Sequence, residues 1–310
     1  MKFKVLCVIF SAVFLVGAFF ISSQAKELRA TADRKNAEVA AAKKAAEEKT
    51  AEAEAVVTEI STLQQKKTDI AKQIEEAKVL KAYLTTDVVY LTFDDGPSPN
   101  NCEKILDILK ENDVKATFFV VGTWLDPENR NYSEKSVKML KRMADEGHTI
   151  GIHAYNHDYT AIYKSVDAFF NDFDKVEKLI TDITGKKPSV MRFPSGSITA
   201  KGFCKKYSGS EDTFPTITAK LKERGYMIVD WNMDSNDWRH GQTADGIKSV
   251  ATKFAIDIQQ NHPKAAVLSL MHEKDLSVSV LPDVIKIFKK YNYTFMPVQN
   301  GGYTVIQAAS

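Results

Sequence analysis

The chain has 310 residues, and its 42 Lys and Arg against 40 Asp and Glu leave a net charge of +2. Charges that cancel so nearly give no electrostatic case for a nucleic-acid partner, and that class is excluded. How residues are arranged along the chain is more informative than the totals.

At the N-terminus Lys2 and Lys4 precede an uncharged apolar run from Val5 to Ile21, followed by Ser23-Gln24-Ala25. A basic start with such a run is an export signal. Its 17 residues approach the length of a membrane-spanning helix, so residues 1–25 are expected to be an uncleaved, single-pass anchor. Cleavage after Ala25, giving a secreted protein, is the alternative. Cys7 lies inside this run without a lipid-attachment motif around it.

Residues 26–84 contain no Gly and no Pro and are rich in Ala, Glu and Lys, which predicts one long helix. A 4-3 spacing through Leu28, Val39, Val56, Ile60, Leu63, Ile70, Ile74 and Leu84 is a heptad seam, interrupted by Lys35, Lys49, Lys67 and Lys81. The seam implies weak self-association as a coiled coil; a solvated single helix acting as a spacer fits the same residues. At about 1.5 Å per residue such a helix spans roughly 85 Å.

From residue 85 to 310 the pattern alternates between strand and helix. Strands are predicted near Val88–Phe93, Ala116–Val121, Thr149–His153, Ser189–Arg192, Met227–Trp231, Ala265–Met271 and Thr294–Pro297. Helices are predicted near Cys102–Asn112, Glu134–Glu146, Val166–Ile183, Thr216–Arg224, Ala244–Gln260 and Val280–Lys290. About seven parallel strands in this order make an α/β domain, a distorted and incomplete (β/α) barrel. Ser197–Pro215, rich in Gly, Ser and Lys, is expected to be an extended loop. Cys102 and Cys204 are either a disulfide or, the favoured reading, two buried thiols.

Polar groups fall at the C-terminal ends of these strands. Phe93-Asp94-Asp95-Gly96-Pro97 ends the first strand with two carboxylates; neighbouring strand residues point to opposite sides, so one can hold a metal while the other takes a proton. His153 and His157, four apart, lie on one face if the chain turns helical after His153, and with a carboxylate they make a three-ligand site with open positions. Arg192 ends the Ser189 strand, Asp230 to Trp238 follow the Met227 strand, and His272 and Glu273 end the Ala265 strand. An α/β enzyme with its site on one face requires this recurrence.

These five motifs, in this order, resemble the polysaccharide deacetylase family of metal-dependent carbohydrate esterases, over about Val88 to Val298. The resemblance implies Asp94 as catalytic base, Asp95, His153 and His157 as metal ligands, and Arg192 as the tether of Asp94. It implies that Asp237 tunes His272 as the general acid, and that Trp238 and Leu270 wall the pocket for the acetyl methyl. It also implies that the Ser195 backbone N–H is the oxyanion donor. Ser195 stands where the family often has an aromatic residue, which leaves the chemistry intact but alters the sugar groove. The implied cofactor is a divalent ion, Zn²⁺ first, with Co²⁺, Ni²⁺ and Mn²⁺ compatible.

The activity these residues imply is removal of N-acetyl groups from an amino-sugar polymer. An exported domain held off a membrane is best placed to act on cell-wall glycan, so peptidoglycan N-acetylglucosamine is the expected substrate. An esterase acting on O-acetyl xylan or a chitin-type deacetylase is one alternative. A catalytically inactive glycan-binding scaffold is another, although a binding module has no use for both Asp94 and His272.

Overall fold

The computed structural model describes residues 43–44, 49–50, 53–74, 87–262 and 265–308. The chain divides into two compact units, Met1–Ala77 and Lys78–Ser310. In the first, residues 53–74 are a continuous helix, and Ile60, Leu63, Ile70 and Ile74 of the heptad seam are about half exposed. The apolar run Val5–Ile21 lies outside the described residues, as does most of the seam. No described helix is long and apolar enough to cross a membrane.

The second unit is a parallel sheet wrapped by helices. Its strands are β1 (Val88–Tyr90), β2 (Thr92–Gly96), β3 (Thr117–Val121), β4 (Thr149–Ala154), β5 (Val190–Met191), β6 (Met227–Ile228), β7 (Met233–Asp234), β8 (Val267–His272) and β9 (Thr294–Phe295). They run in the order β6-β5-β4-β3-β2-β8-β1-β9, with β7 beside β8, and all described pairs are parallel. Nine described strands stand where about seven are expected from sequence. The first expected strand is two, β1 and β2, and the two-residue β7 carries no sequence signal.

Helices α1 (Cys102–Glu111), α2 (Glu134–Asp145), α3 (Tyr159–Ile162), α4 (Val166–Thr184), α5 (Gly196–Ser208), α6 (Thr213–Glu223), α7 (Ala244–Asn261) and α8 (Asp275–Lys290) complete the unit. Their starts follow ordinary capping chemistry: Ser133, Ser165 and Thr243 each accept from a backbone N–H of the first turn of α2, α4 and α7. Ser197–Pro215 is therefore not an extended loop, because α5 and the start of α6 occupy it. Ser197, Ala200 and Cys204 recur at helical spacing and are buried, which outweighs the Gly and Ser content.

The strand alternation sorts the apolar side chains into two cores. Val89, Leu91, Phe93, Phe118 and Val120 face the helices. Val88, Tyr90, Phe119, Val190, Val229 and Leu268 fill the inside of the curved sheet. At the open edge the C-terminal tail lies along the segment after β6: Asp230 N–H donates to the Val305 carbonyl at 2.7 Å, and Thr304 Oγ1 donates to the Ile228 carbonyl at 2.7 Å. Cys102 and Cys204 are free and buried.

Candidate active site

β2 lies between β3 and β8, and its register puts Asp94 opposite Phe119 on one side and His272 on the other. Thr92 and Asp94, two apart, point into the curved sheet and are buried. Strict alternation would aim Asp95 at the helices. Instead the β2–β3 register slips between Asp94 and Gly96, and Asp95 takes a left-handed φ of 69°. This bulge turns the second carboxylate onto the same rim as the first. Gly96 is required here for another reason, since a Cβ on it would sit 1.9 Å from a Glu273 carboxylate oxygen.

Arg192, just past β5, is fully buried. Its Nη1 donates to Asp94 Oδ1 at 2.8 Å and to Thr92 Oγ1 at 2.6 Å. Nη2 donates to the Asp230 carbonyl at 2.8 Å and Nε to the Val229 carbonyl at 2.9 Å, while the guanidinium lies 4.3 Å from the Phe119 ring centre. One fork thus ties β2 to the segment after β6 and fixes one oxygen of Asp94. The other, Oδ2, faces His153 Nε2 at 3.9 Å.

His153 lies in β4, and His157 follows the bend at Tyr155 and Asn156 with φ of 61°. The pair does not share a helix face: the left-handed residue, not a helical turn, brings the rings to 5.1 Å between centres. Each Nε2 is 3.5 Å from Asp95 Oδ1. His153 Nδ1 is 2.9 Å from the Arg192 carbonyl. A carbonyl only accepts, so Nδ1 carries the hydrogen and the Nε2 lone pair is free for a metal. Burial and the neighbouring His153 push the His157 pKa down, which favours the neutral, ligating form.

The donor set fits a divalent ion. The ligand atoms of Asp95, His153 and His157 lie within 4.8 Å of one another. Asp95 Oδ1 is buried without a hydrogen-bond partner. Tetrahedral coordination at about 2.1 Å places ligand atoms roughly 3.4 Å apart, close to the spacing of both imidazoles from Asp95.

His272 ends β8 beside Asp94. Its Nδ1 lies 2.7 Å from Asp237 Oδ1, and its backbone N–H donates to Asp237 Oδ2 at 2.7 Å; Ser277 Oγ donates to the same oxygen. Burial alone would raise the Asp237 pKa, but these hydrogen bonds outweigh it and the net direction is down. Burial likewise presses His272 down, yet the Asp237 hydrogen bond and charge carry it up. The Asp237 carboxylate therefore favours the imidazolium with Nδ1–H fixed, leaving Nε2–H to donate.

Ser195 adopts a left-handed φ of 68° before α5, and its N–H makes no hydrogen bond among the described residues. Leu270 is buried in β8, opposite Asp234 of β7. Trp238 is 49% exposed, with Nε1 3.3 Å from both Asp234 oxygens and Arg239 over its ring. It lies nearer the surface than a closed acetyl pocket requires, joined to Leu270 through Asp234.

Three further residues support the site without a motif that marks their roles. Thr92 shares Arg192 with Asp94. Asp230 is fully buried and accepts from Ser197 N–H at 3.0 Å and Gln307 N–H at 2.7 Å, joining the start of α5 to the tail. Glu273 accepts from Ser98 N–H at 2.5 Å, and burial pushes its pKa up to about 8. Only the position of Glu273, directly after a strand-ending histidine, marks it in the sequence.

The profile of the polysaccharide deacetylase family matches residues 81–205. A peptidoglycan N-acetylglucosamine deacetylase of Bacillus cereus is 32% identical over 209 residues, covering 67% of this chain and 68% of that protein. A peptidoglycan N-acetylmuramic acid deacetylase of Bacillus subtilis is 31% identical over 215 residues, 68% of this chain and 70% of that one. Among solved structures, the catalytic domain of a peptidoglycan N-acetylglucosamine deacetylase from Eubacterium rectale superposes with a TM-score of 0.60 at 29% identity, covering 72% of this chain and 94% of that one.

Proposed function

This chain belongs to the polysaccharide deacetylase family, and on that footing we propose that it hydrolyses the N-acetyl groups of peptidoglycan amino sugars, N-acetylglucosamine first, releasing acetate. The observation that supports this reading best is a division of labour on one rim. Asp94 is fixed by Arg192 on one oxygen and open on the other, beside a carboxylate and two imidazoles suited to a cation. A proton donor, His272, stands on the adjacent strand.

Asp95, His153 and His157 would hold the divalent ion, Zn²⁺ first. When bound, the ion would polarise the acetamide carbonyl and acidify an attacking water. Asp94, with Oδ2 facing the same space, takes the water's proton. The Ser195 N–H donates to the oxyanion that develops on the carbonyl oxygen. His272 then gives its Nε2 proton to the departing amine, and Asp237 keeps the imidazolium charged until it does. Proton transfer by a positioned group contributes on the order of 10²- to 10⁴-fold.

The reading extends to the whole chain: residues 1–25 export and anchor the protein in the cell membrane, 26–84 space it outward, and 85–310 catalyse outside the cell. The lack of Gly and Pro from Lys26 to Leu84 supports a spacer. Acetate release from purified peptidoglycan, chitin oligomers and acetylated xylan, with and without chelator, tests the substrate. Chelator-sensitive release, fastest from peptidoglycan, is expected. Release from acetylated xylan alone would replace the amide-cleaving reading with an esterase.

A further inference from the structure

The Ser195 side chain is engaged at the mouth of the site. Its Oγ donates to the Tyr159 hydroxyl at 2.7 Å. Tyr159 opens α3, two residues after His157, and Asp158 between them accepts the N–H groups of Thr160 and Ala161. The Tyr159 ring meets the His157 imidazole edge-on at 5.0 Å between centres and lies 4.9 Å from Phe203 of α5. Phe203 is in turn backed by Tyr163 and Tyr207. The phenol is thus clamped between the cation-suited loop and the helix that follows Ser195.

This clamp has a directional consequence. Because Ser195 supplies the hydrogen, the Tyr159 oxygen acts as acceptor, and its own O–H has no acceptor among the described residues. The rim therefore presents two donors together, the Ser195 N–H and the Tyr159 O–H, on a ring whose freedom is already spent. A polyhydroxylated ring entering with its acetamide directed at the first donor brings its own oxygens to the second.

We propose that Tyr159 is a specificity-determining residue whose hydroxyl, oriented by Ser195, donates to a sugar oxygen flanking the acetamido group. The assignment rests on the deacetylase reading.

Steady-state acetate release from an N-acetylglucosamine tetramer by the metal-loaded full chain tests it. Tyr159→Phe keeps the ring contacts and removes one neutral hydrogen bond, so KM should rise about three- to tenfold with kcat changed much less. Bound metal should be unchanged by elemental analysis. Ser195→Ala, which keeps the backbone N–H, should raise KM by less, and the double variant should be no worse than Tyr159→Phe, since both act through one hydroxyl. A wild-type KM in Tyr159→Phe overturns the proposal. So does a loss confined to kcat, which would put the hydroxyl on the reacting carbonyl. A wild-type protein that releases no acetate from either the tetramer or purified peptidoglycan overturns the deacetylase reading itself, a result distinct from the other two.

Discussion

Arg192→Met exchanges a fully buried guanidinium for an apolar side chain of similar length, and its cost follows from four hydrogen bonds. The Asp94 carboxylate, itself buried, loses the charged partner of its Oδ1. Breaking a buried ion pair from one side costs about 3–5 kcal/mol. The Val229 and Asp230 carbonyls also lose their donor, at about 1–3 kcal/mol for each that stays unpaired. In a domain of this size each kcal/mol moves Tm by roughly 2–4 °C, so the carboxylate term alone lowers it by about 6–20 °C. Arg192→Lys keeps the charge but offers three donors from one point, which cannot span Asp94, Thr92 and both carbonyls, so an intermediate loss is expected. Adding Asp94→Asn to Arg192→Met should recover part of the stability, because no bare charge remains. Calorimetry on the single and double variants measures these terms. An Arg192→Met protein with wild-type Tm, or a double variant less stable than both singles, would refute the keystone role.

Asp94→Asn should keep its bound metal and lose about 10²-fold or more in turnover, checked by metal analysis beside acetate release. Asp237→Asn should move the alkaline limb of the kcat/KM profile to lower pH, because the anion that raises the His272 pKa is gone. Linkage gives the same sign: the stability from the raised His272 value is complete below the unfolded pKa of about 6.5 and lost as pH rises through the folded value, while that from the lowered Asp237 value is lost as pH falls below about 4, so the variant should lose stability mainly between about pH 4 and about 6.5. A chain shortened to begin at Thr85 should cleave soluble oligomers as well as the full protein and fall behind only on intact wall. Reduced activity on oligomers from a folded shortened protein would end the spacer reading.

The site was readable where chemistry sits at strand ends. Asp94, Asp95, His153, Arg192 and His272 all follow apolar runs, and the parallel sheet gathers such ends onto one rim. Backbone detail was not readable. Nothing in Asp95 or His157 announces a left-handed φ, so alternation misplaces the second carboxylate and helical spacing misdescribes the second imidazole, although both join the cluster expected of them. Ser197–Pro215 reads as loop because Gly, Ser and Lys punctuate it, while its burial follows Ser197, Ala200 and Cys204 at helical spacing. The role of Asp230 was invisible because Gln307, one of its partners, is 77 residues away. The Ser195–Tyr159 pair, 36 residues apart, was hidden for the same reason.

The central claim is that Asp95, His153 and His157 hold the divalent ion on which acetate release depends. Metal content and acetate release from peptidoglycan, measured together on wild type and His157→Ala, test it most directly. The expected result is about one ion per wild-type chain, activity abolished by chelator and restored by Zn²⁺, and a folded His157→Ala protein with neither ion nor activity. A His157→Ala protein that retains a full complement of metal, or a wild type that releases acetate after complete chelation, would contradict it.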